Sequence, residues 1–143
     1  MEEKLEDVLQ CKFNIAMRWI RLLQHGKTIT KYIKNKNINS IILYGITEIT
    51  VNIIDEFDEM GEICRLKAIA DKKITKGGIS SFYDIPCVSP ECIQDYAADD
   101  AWIIVTPMGW HREISNELRA MGLKNVITIE ELIYDMYSEI EHI

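Results

Sequence analysis

The stretch Ile41-Ile42-Leu43-Tyr44-Gly45-Ile46-Thr47-Glu48-Ile49-Thr50 decides how the chain folds. Four successive apolar residues predict a strand covered on both faces, as at the centre of a parallel sheet. Gly45 supplies a tight turn, and beyond it the apolar spacing lengthens to that of a helix. Ile46, Ile49, Ile53, Phe57 and Met60 fall on one side of that helix. Glu48, Asn52, Asp55, Glu56 and Glu59 fall on the other, and Gly61 ends it.

Downstream, residues 63–70 predict a second strand, with Cys64, Leu66, Ala68 and Ala70 on one face. Arg65 and Lys67 share the other face with Ile63 and Ile69, the pattern of a strand near a sheet edge. Residues 72–83, with Gly77-Gly78 and Ser80-Ser81, read as a loop. Ile85-Pro86-Cys87-Val88 makes a short third strand, after which Ser89 and Pro90 suit the N-cap and first position of a helix. Asp99-Asp100 precedes a fourth strand, Trp102-Ile103-Ile104-Val105-Thr106. The helix after it carries Ile114, Leu118 and Met121 and stops at Gly122. Asn125 to Ile129 is the fifth strand. The last helix buries Leu132, Ile133, Met136 and Ile140, and Thr128-Ile129-Glu130-Glu131 has capping-box spacing.

Upstream, Leu5, Val8, Leu9, Phe13, Ala16, Trp19, Ile20 and Leu23 recur every three or four residues, which predicts a long amphipathic helix ending at His25-Gly26. A shorter helix from Thr28 to Lys36 places Ile29, Tyr32 and Ile33 inward. Lys27, Lys31, Lys34 and Lys36 form its solvated face.

Five strands alternating with helices imply an α/β, Rossmann-like three-layer sandwich. The expected five-stranded parallel sheet has order 3-2-1-4-5, counting from Ile41, and is preceded by two N-terminal helices. The 143 residues fit a single domain, with a helical extension over residues 1–38 and an α/β core over 39–143. A formal net charge of -7 argues against nucleic acid or an anionic membrane surface as partner. No run approaches the ~18 apolar residues of a membrane span, and no apolar signal segment follows Met1. The expectation is a soluble, cytoplasmic protein. Cys11, Cys64, Cys87 and Cys92 include no CxxC pair, so free and mostly buried thiols are expected, not a zinc site or a disulfide framework.

In such a sheet ligands bind beyond the carboxyl ends of the strands, where the strand order reverses. Three segments meet there. In the first, a G-x-G-x-x-G phosphate loop would read Gly45-Ile46-Thr47-Glu48-Ile49-Thr50, in which only the first glycine is present. Gly45, Ile46 and Thr47 remain candidates, with Thr47 able to cap the helix or donate to an oxyanion, while Glu48 adds an opposing charge. In the second, Asp71 lies where an acidic residue takes ribose hydroxyls, and Lys72, Lys73 and Lys76 could answer phosphates. In the third, Thr106, Pro107, Met108, His111 and Arg112 surround Gly109 and Trp110 at a helix start. There His111 could act as acid or base and Arg112 could pair with an anion. No catalytic or metal-binding signature is present.

The series Trp19-x-x-Leu22, Gly26-Lys27, Tyr32-Ile33 and Ile41-Ile42-Leu43-Tyr44-Gly45 resembles a bacterial Rossmann-like module. Ala70-Asp71, Ile85-Pro86-Cys87-Val88, Trp102 to Thr106, Glu113-Ile114 and Leu118-x-x-x-Gly122 carry the same resemblance. The module accompanies glycosyltransferases, sugar methyltransferases and other surface-polysaccharide enzymes, as a fused domain or a free-standing protein. The resemblance runs from about Ala16 to Leu132, and it departs at Thr47, where a second glycine is usual. It implies an accessory module that binds a nucleotide or nucleotide-sugar in polysaccharide biosynthesis, without catalysis of its own. The alternatives are a small NAD(P)-dependent oxidoreductase using His111, and an interaction module. The latter would form a homodimer, or dock on a glycan-biosynthesis enzyme, through the N-terminal helices and Trp19.

Overall fold

The computed structural model describes residues 4–74, 80–97 and 100–140. Asp99 and the expected loop residues Lys76, Gly77 and Gly78 lie outside them. The chain is α/β, built on a six-stranded, mostly parallel sheet. The elements are α1 (Leu5–Gln24), α2 (Ile29–Asn35), β1 (Ile41–Tyr44), α3 (Glu48–Glu59), β2 (Leu66–Ala70), β3 (Ser80–Phe82), β4 (Ile85–Val88), α4 (Ile93–Tyr96), β5 (Trp102–Val105), α5 (His111–Ala120), β6 (Val126–Thr128) and α6 (Ile129–Ser138). Their sheet order is β3-β4-β2-β1-β5-β6.

The five strands expected from the sequence are present, but the count and order of the whole sheet differ from the expected 3-2-1-4-5. The added strand is β3, which pairs antiparallel with β4 and makes the sheet mixed. It falls in the stretch expected to be a loop. Tyr83 and Asp84 join the two strands at φ 53° and 63°, the two left-handed residues of a tight hairpin turn. Neither is glycine or asparagine, so the turn carries no ordinary sequence signal.

β2 is also shorter than expected. Ile63–Arg65 is a 3-10 turn, and Ile41 aligns with Leu66 while Ile42 aligns with Ala68. Lys67 is thus the extra residue of a bulge, which turns Leu66 to the opposite face from Ala68. Exposure of Lys67 follows from the bulge and not from a half-covered sheet. After β4 the predicted helix is a 3-10 turn, Pro90–Cys92, followed by the four residues of α4. Ser89 makes no side-chain cap there.

Strand alternation divides the interior into two cores. Ile41, Leu43, Ile69 and Ile104 face α1, α2, α3 and α6. Ile42, Tyr44, Ala70, Ile103 and Val105 face Ile93, Ile114 and Leu118 of α4 and α5. α1 corrects the expected apolar face most. Its buried residues are Ile15, Trp19 and Leu22, whereas Leu5, Leu9, Phe13, Ile20 and Leu23 are exposed. In α3, Glu56 is buried instead of solvated. Its carboxylate accepts from Trp19 Nε1 at 3.3 Å and from the Thr30 N–H at 3.1 Å, tying α1 and α2 to α3. Thr47 caps α3, and Thr128 with Glu131 completes a capping box on α6, both as expected. None of the four cysteines is in a disulfide, but against the expectation only Cys87 is buried, with Cys11 and Cys92 partly exposed and Cys64 exposed.

Candidate functional site

Beyond the carboxyl ends of β1, β2 and β5 lies a cavity of about 420 Å³ lined by Tyr44, Gly45, Asp71, Lys72, Lys73, Pro107, Trp110 and Ile114. The sheet puts it there. After β1 the chain passes to β2 on one side, while β5 returns on the other, so the loops that follow these strands diverge.

The turn at Gly45 is built by hydrogen bonds among its neighbours. The Gly45 N–H donates to Ala70 O at 2.7 Å, and the Thr106 N–H donates to Tyr44 O at 3.0 Å. Thr106 Oγ1 donates to the same carbonyl at 2.9 Å and lies 3.0 Å from both Thr47 Oγ1 and Thr50 Oγ1. Gly45 itself has φ +100°, and a Cβ there would stand 2.6 Å from Pro107 Cγ. Its missing side chain therefore makes room for Pro107, which forms one wall of the cavity.

Asp71 closes the same turn from the other side. One carboxylate oxygen accepts the Ile46 N–H at 2.8 Å, and the other accepts the Lys73 N–H at 2.8 Å. Thr47 Oγ1 accepts the Thr50 N–H at 3.2 Å. The start of α3, which in a phosphate loop would greet an external anion, thus already holds an internal carboxylate and a hydroxyl cap. A phosphate seated on this turn would be repelled by Asp71. The free lone pairs of Asp71 can still accept hydroxyls.

Across the cavity, burial pushes the Tyr44 phenol up to about 12, helped by the negative fields of Glu117, Asp71 and Glu91. It stays neutral at physiological pH and able to donate a hydrogen bond. Trp110 is 49% exposed and offers a ring face at the rim. Lys72 Nζ lies 3.6 Å from Glu117 Oε2, with both side chains largely exposed. Such a pair is weak and open to exchange.

Of the ten residues singled out in the sequence, Gly45, Asp71, Lys72 and Pro107 line the cavity. The other six are not among the lining residues. Ile46 packs against the core on the α3 side, and Thr47 and Thr106 hold the turn. Met108 is buried in that same core. Arg112 is exposed at the start of α5. His111 is 3% exposed and turned towards α6, with Nε2 3.3 Å from Glu130 Oε1. That distance suits an ion pair, but the alignment misses a hydrogen bond, and neither ring nitrogen has a hydrogen-bond partner among the described residues. Glu130 in turn accepts from Cys11 Sγ at 2.9 Å.

Tyr44, Lys73, Trp110 and Ile114 complete the lining. Tyr44 was legible only as the last residue of a buried strand. Ile114 carries no polar signal at all. A second cavity, about 210 Å³, lies at the opposite end of β1 and β5 among Ile33, Ile38, Ile41, Trp102, Ile104 and Leu132. Its wall is mainly aliphatic, with Tyr32, Lys36 and Trp102 besides and no carboxylate. The larger cavity combines ring faces with a carboxylate and two ammonium groups, and is the candidate site. Comparison with known proteins gives no match to a family model, to a curated protein or to a solved structure.

Proposed function

We propose that the chain is a Rossmann-like accessory module that binds a nucleotide or nucleotide-sugar in the cavity beyond β1, β2 and β5. The observation that carries this reading is the pairing of Asp71, Lys72 and Lys73 on one wall with Tyr44 and Trp110 on the other. A base or sugar ring stacks on Trp110, vicinal hydroxyls donate to Asp71, and phosphates meet the lysines at the mouth. This differs from the usual dinucleotide pose, in which the pyrophosphate sits on the glycine turn. The ligand is held by its hydroxyls at the strand ends and by its charge at the rim.

Binding without catalysis is favoured by the lining itself. Its titratable groups are Tyr44, Asp71, Lys72 and Lys73, and His111, on which the oxidoreductase alternative depends, points to α6 instead. A bacterial setting in polysaccharide biosynthesis rests on the resemblance alone.

The test is a thermal-shift series with UDP- and GDP-sugars, NAD, NADP, S-adenosylmethionine and coenzyme A. A nucleotide or nucleotide-sugar should give a saturable rise in Tm, equivalent to about 2.7 kcal/mol at a hundredfold excess over Kd. Trp110→Ala and Lys73→Glu should each weaken it at least tenfold. No shift with any compound at several millimolar would overturn the proposal.

A further inference from the structure

The outer face of α1 has no partner among the described residues. Leu5, Leu9, Phe13, Met17, Ile20 and Leu23 are 72, 54, 60, 50, 50 and 48% exposed, although Ile15, Trp19 and Leu22 on the same helix are buried. α1 therefore has two apolar stripes, and the core uses only one. Leu9, Phe13, Ala16, Ile20 and Leu23 in the other are spaced four, three, four and three residues apart, the seam of a two-helix coiled coil. From these exposures the stripe amounts to roughly 650 Å² per chain, so two copies would bury up to about 1,300 Å², within the range of specific interfaces. It also exceeds the largest patch of about 300–600 Å² usual on a monomer.

We propose that α1 pairs antiparallel with α1 of a second copy of this chain, Leu9 facing Ile20 and Phe13 facing Ala16 across the two-fold axis. The area supports a second copy as partner, and side-chain size with the helix dipoles selects the direction. Antiparallel pairing opposes the two helix dipoles. Parallel pairing would align the two dipoles and stack Phe13 on Phe13, leaving a gap at Ala16. In the antiparallel register the largest residue of the stripe meets the smallest, so the helices close without a void. The same surface repeats by symmetry, as a closed dimer requires. Arg18, on the side of α1 away from the seam, lies over the ring of its own Tyr137, 5.7 Å from the centroid.

The test uses the full chain at 10–100 µM in light scattering and sedimentation. A species of twice 16.6 kDa is expected. Phe13→Glu and Ile20→Glu, both at exposed positions, should raise the dimer dissociation constant at least a hundredfold and leave the helical circular dichroism unchanged. Direction is read by mild oxidation of an equimolar mixture of Leu9→Cys and Ile20→Cys chains, followed by peptide mapping. A crosslink between positions 9 and 20 is expected, with none between 9 and 9. A monomer at 100 µM, a dimer indifferent to Phe13→Glu, or a 9–9 crosslink would each overturn the proposal. So would a monomeric chain that instead sediments with phosphatidylserine vesicles.

Discussion

Replacing Gly45 by alanine tests the geometry of the turn that joins fold to site. A Cβ at that position would lie 2.6 Å from Pro107 Cγ, 2.8 Å from Pro107 Cδ and 2.9 Å from Thr106 Oγ1, on a backbone at φ +100°. The left-handed backbone alone costs a side chain about 1–2 kcal/mol. The contacts add an overpacking cost of about 1–3 kcal/mol, because a pyrrolidine ring cannot swing aside as a flexible chain end would. The expected loss is about 3–4 kcal/mol, a large part of the ~5–15 kcal/mol that holds a domain folded. Urea unfolding should show a lower midpoint with an unchanged slope. Gly122→Ala is the control, since φ there is +93° and nothing lies within 4 Å of the added Cβ. It should lose only about 1 kcal/mol. Pro107→Ala removes Cγ and Cδ, so the double variant should recover about 1–2 kcal/mol of coupling. Equal losses for Gly45→Ala and Gly122→Ala, or no coupling to Pro107, would refute the reasoning.

Thr106→Val keeps the shape but removes the hydroxyl shared by Tyr44 O, Thr47 and Thr50, and should cost about 1–3 kcal/mol in the same urea assay. Thr128→Ala breaks the capping box of α6, in which Thr128 Oγ1 accepts the Glu131 N–H at 3.1 Å, and should cost about 1 kcal/mol. Glu56 gives a pH dependence. Burial raises its carboxyl above 4.5, although the hydrogen bonds from Thr30 and Trp19 pull the other way. The folded chain then keeps the proton to a higher pH than the unfolded chain, so stability falls as pH rises between those two values. Glu56→Gln should thus be more stable than the parent at neutral pH, with the gap in Tm closing as pH drops towards about 4.5. A gap that does not change with pH would contradict this. Glu62, held low by Lys34 and Arg65, acts oppositely and below 4.5, so the two windows do not overlap.

The parallel strands were legible because each is short, apolar at nearly every position, and bounded by a turn or cap. What escaped was decided by contacts outside the local pattern. The hairpin turn puts Tyr83, which rarely takes positive φ, ahead of Asp84, which takes it more readily, so little local announces β3. The bulge at Lys67 reverses the face of Leu66, and strict alternation cannot foresee an inserted residue. On α1 the periodicity identified a helix correctly but not its buried side. Two apolar stripes occur on one cylinder, and only Trp19, with its indole N–H on Glu56, marks which one meets the core. Glu56 itself looked solvated because its neighbours Asp55 and Glu59 are.

The site was legible in place more than in detail. Strand order fixes that the loops after β1, β2 and β5 meet, so Gly45, Asp71 and Pro107 could be brought together from sequence alone. Their relation could not. Gly45 as a phosphate turn and Asp71 as a hydroxyl acceptor look like two complementary halves of one ligand site when read along the chain. In space they compete, since the Ile46 N–H at the head of that turn donates to Asp71 Oδ2. A carboxylate at a helix start is favourable in its own right, and it needs no second anion. Glu48, which seemed only to disfavour phosphate, lies on the first turn of a helix whose N-terminus already favours negative side chains. The chain has therefore satisfied its own turn with its own acidic groups. A ligand in this cavity must bring hydroxyls to Asp71 and keep its phosphates out at Lys72 and Lys73, which makes the position of charge, not the glycine pattern, the feature that sets what can bind.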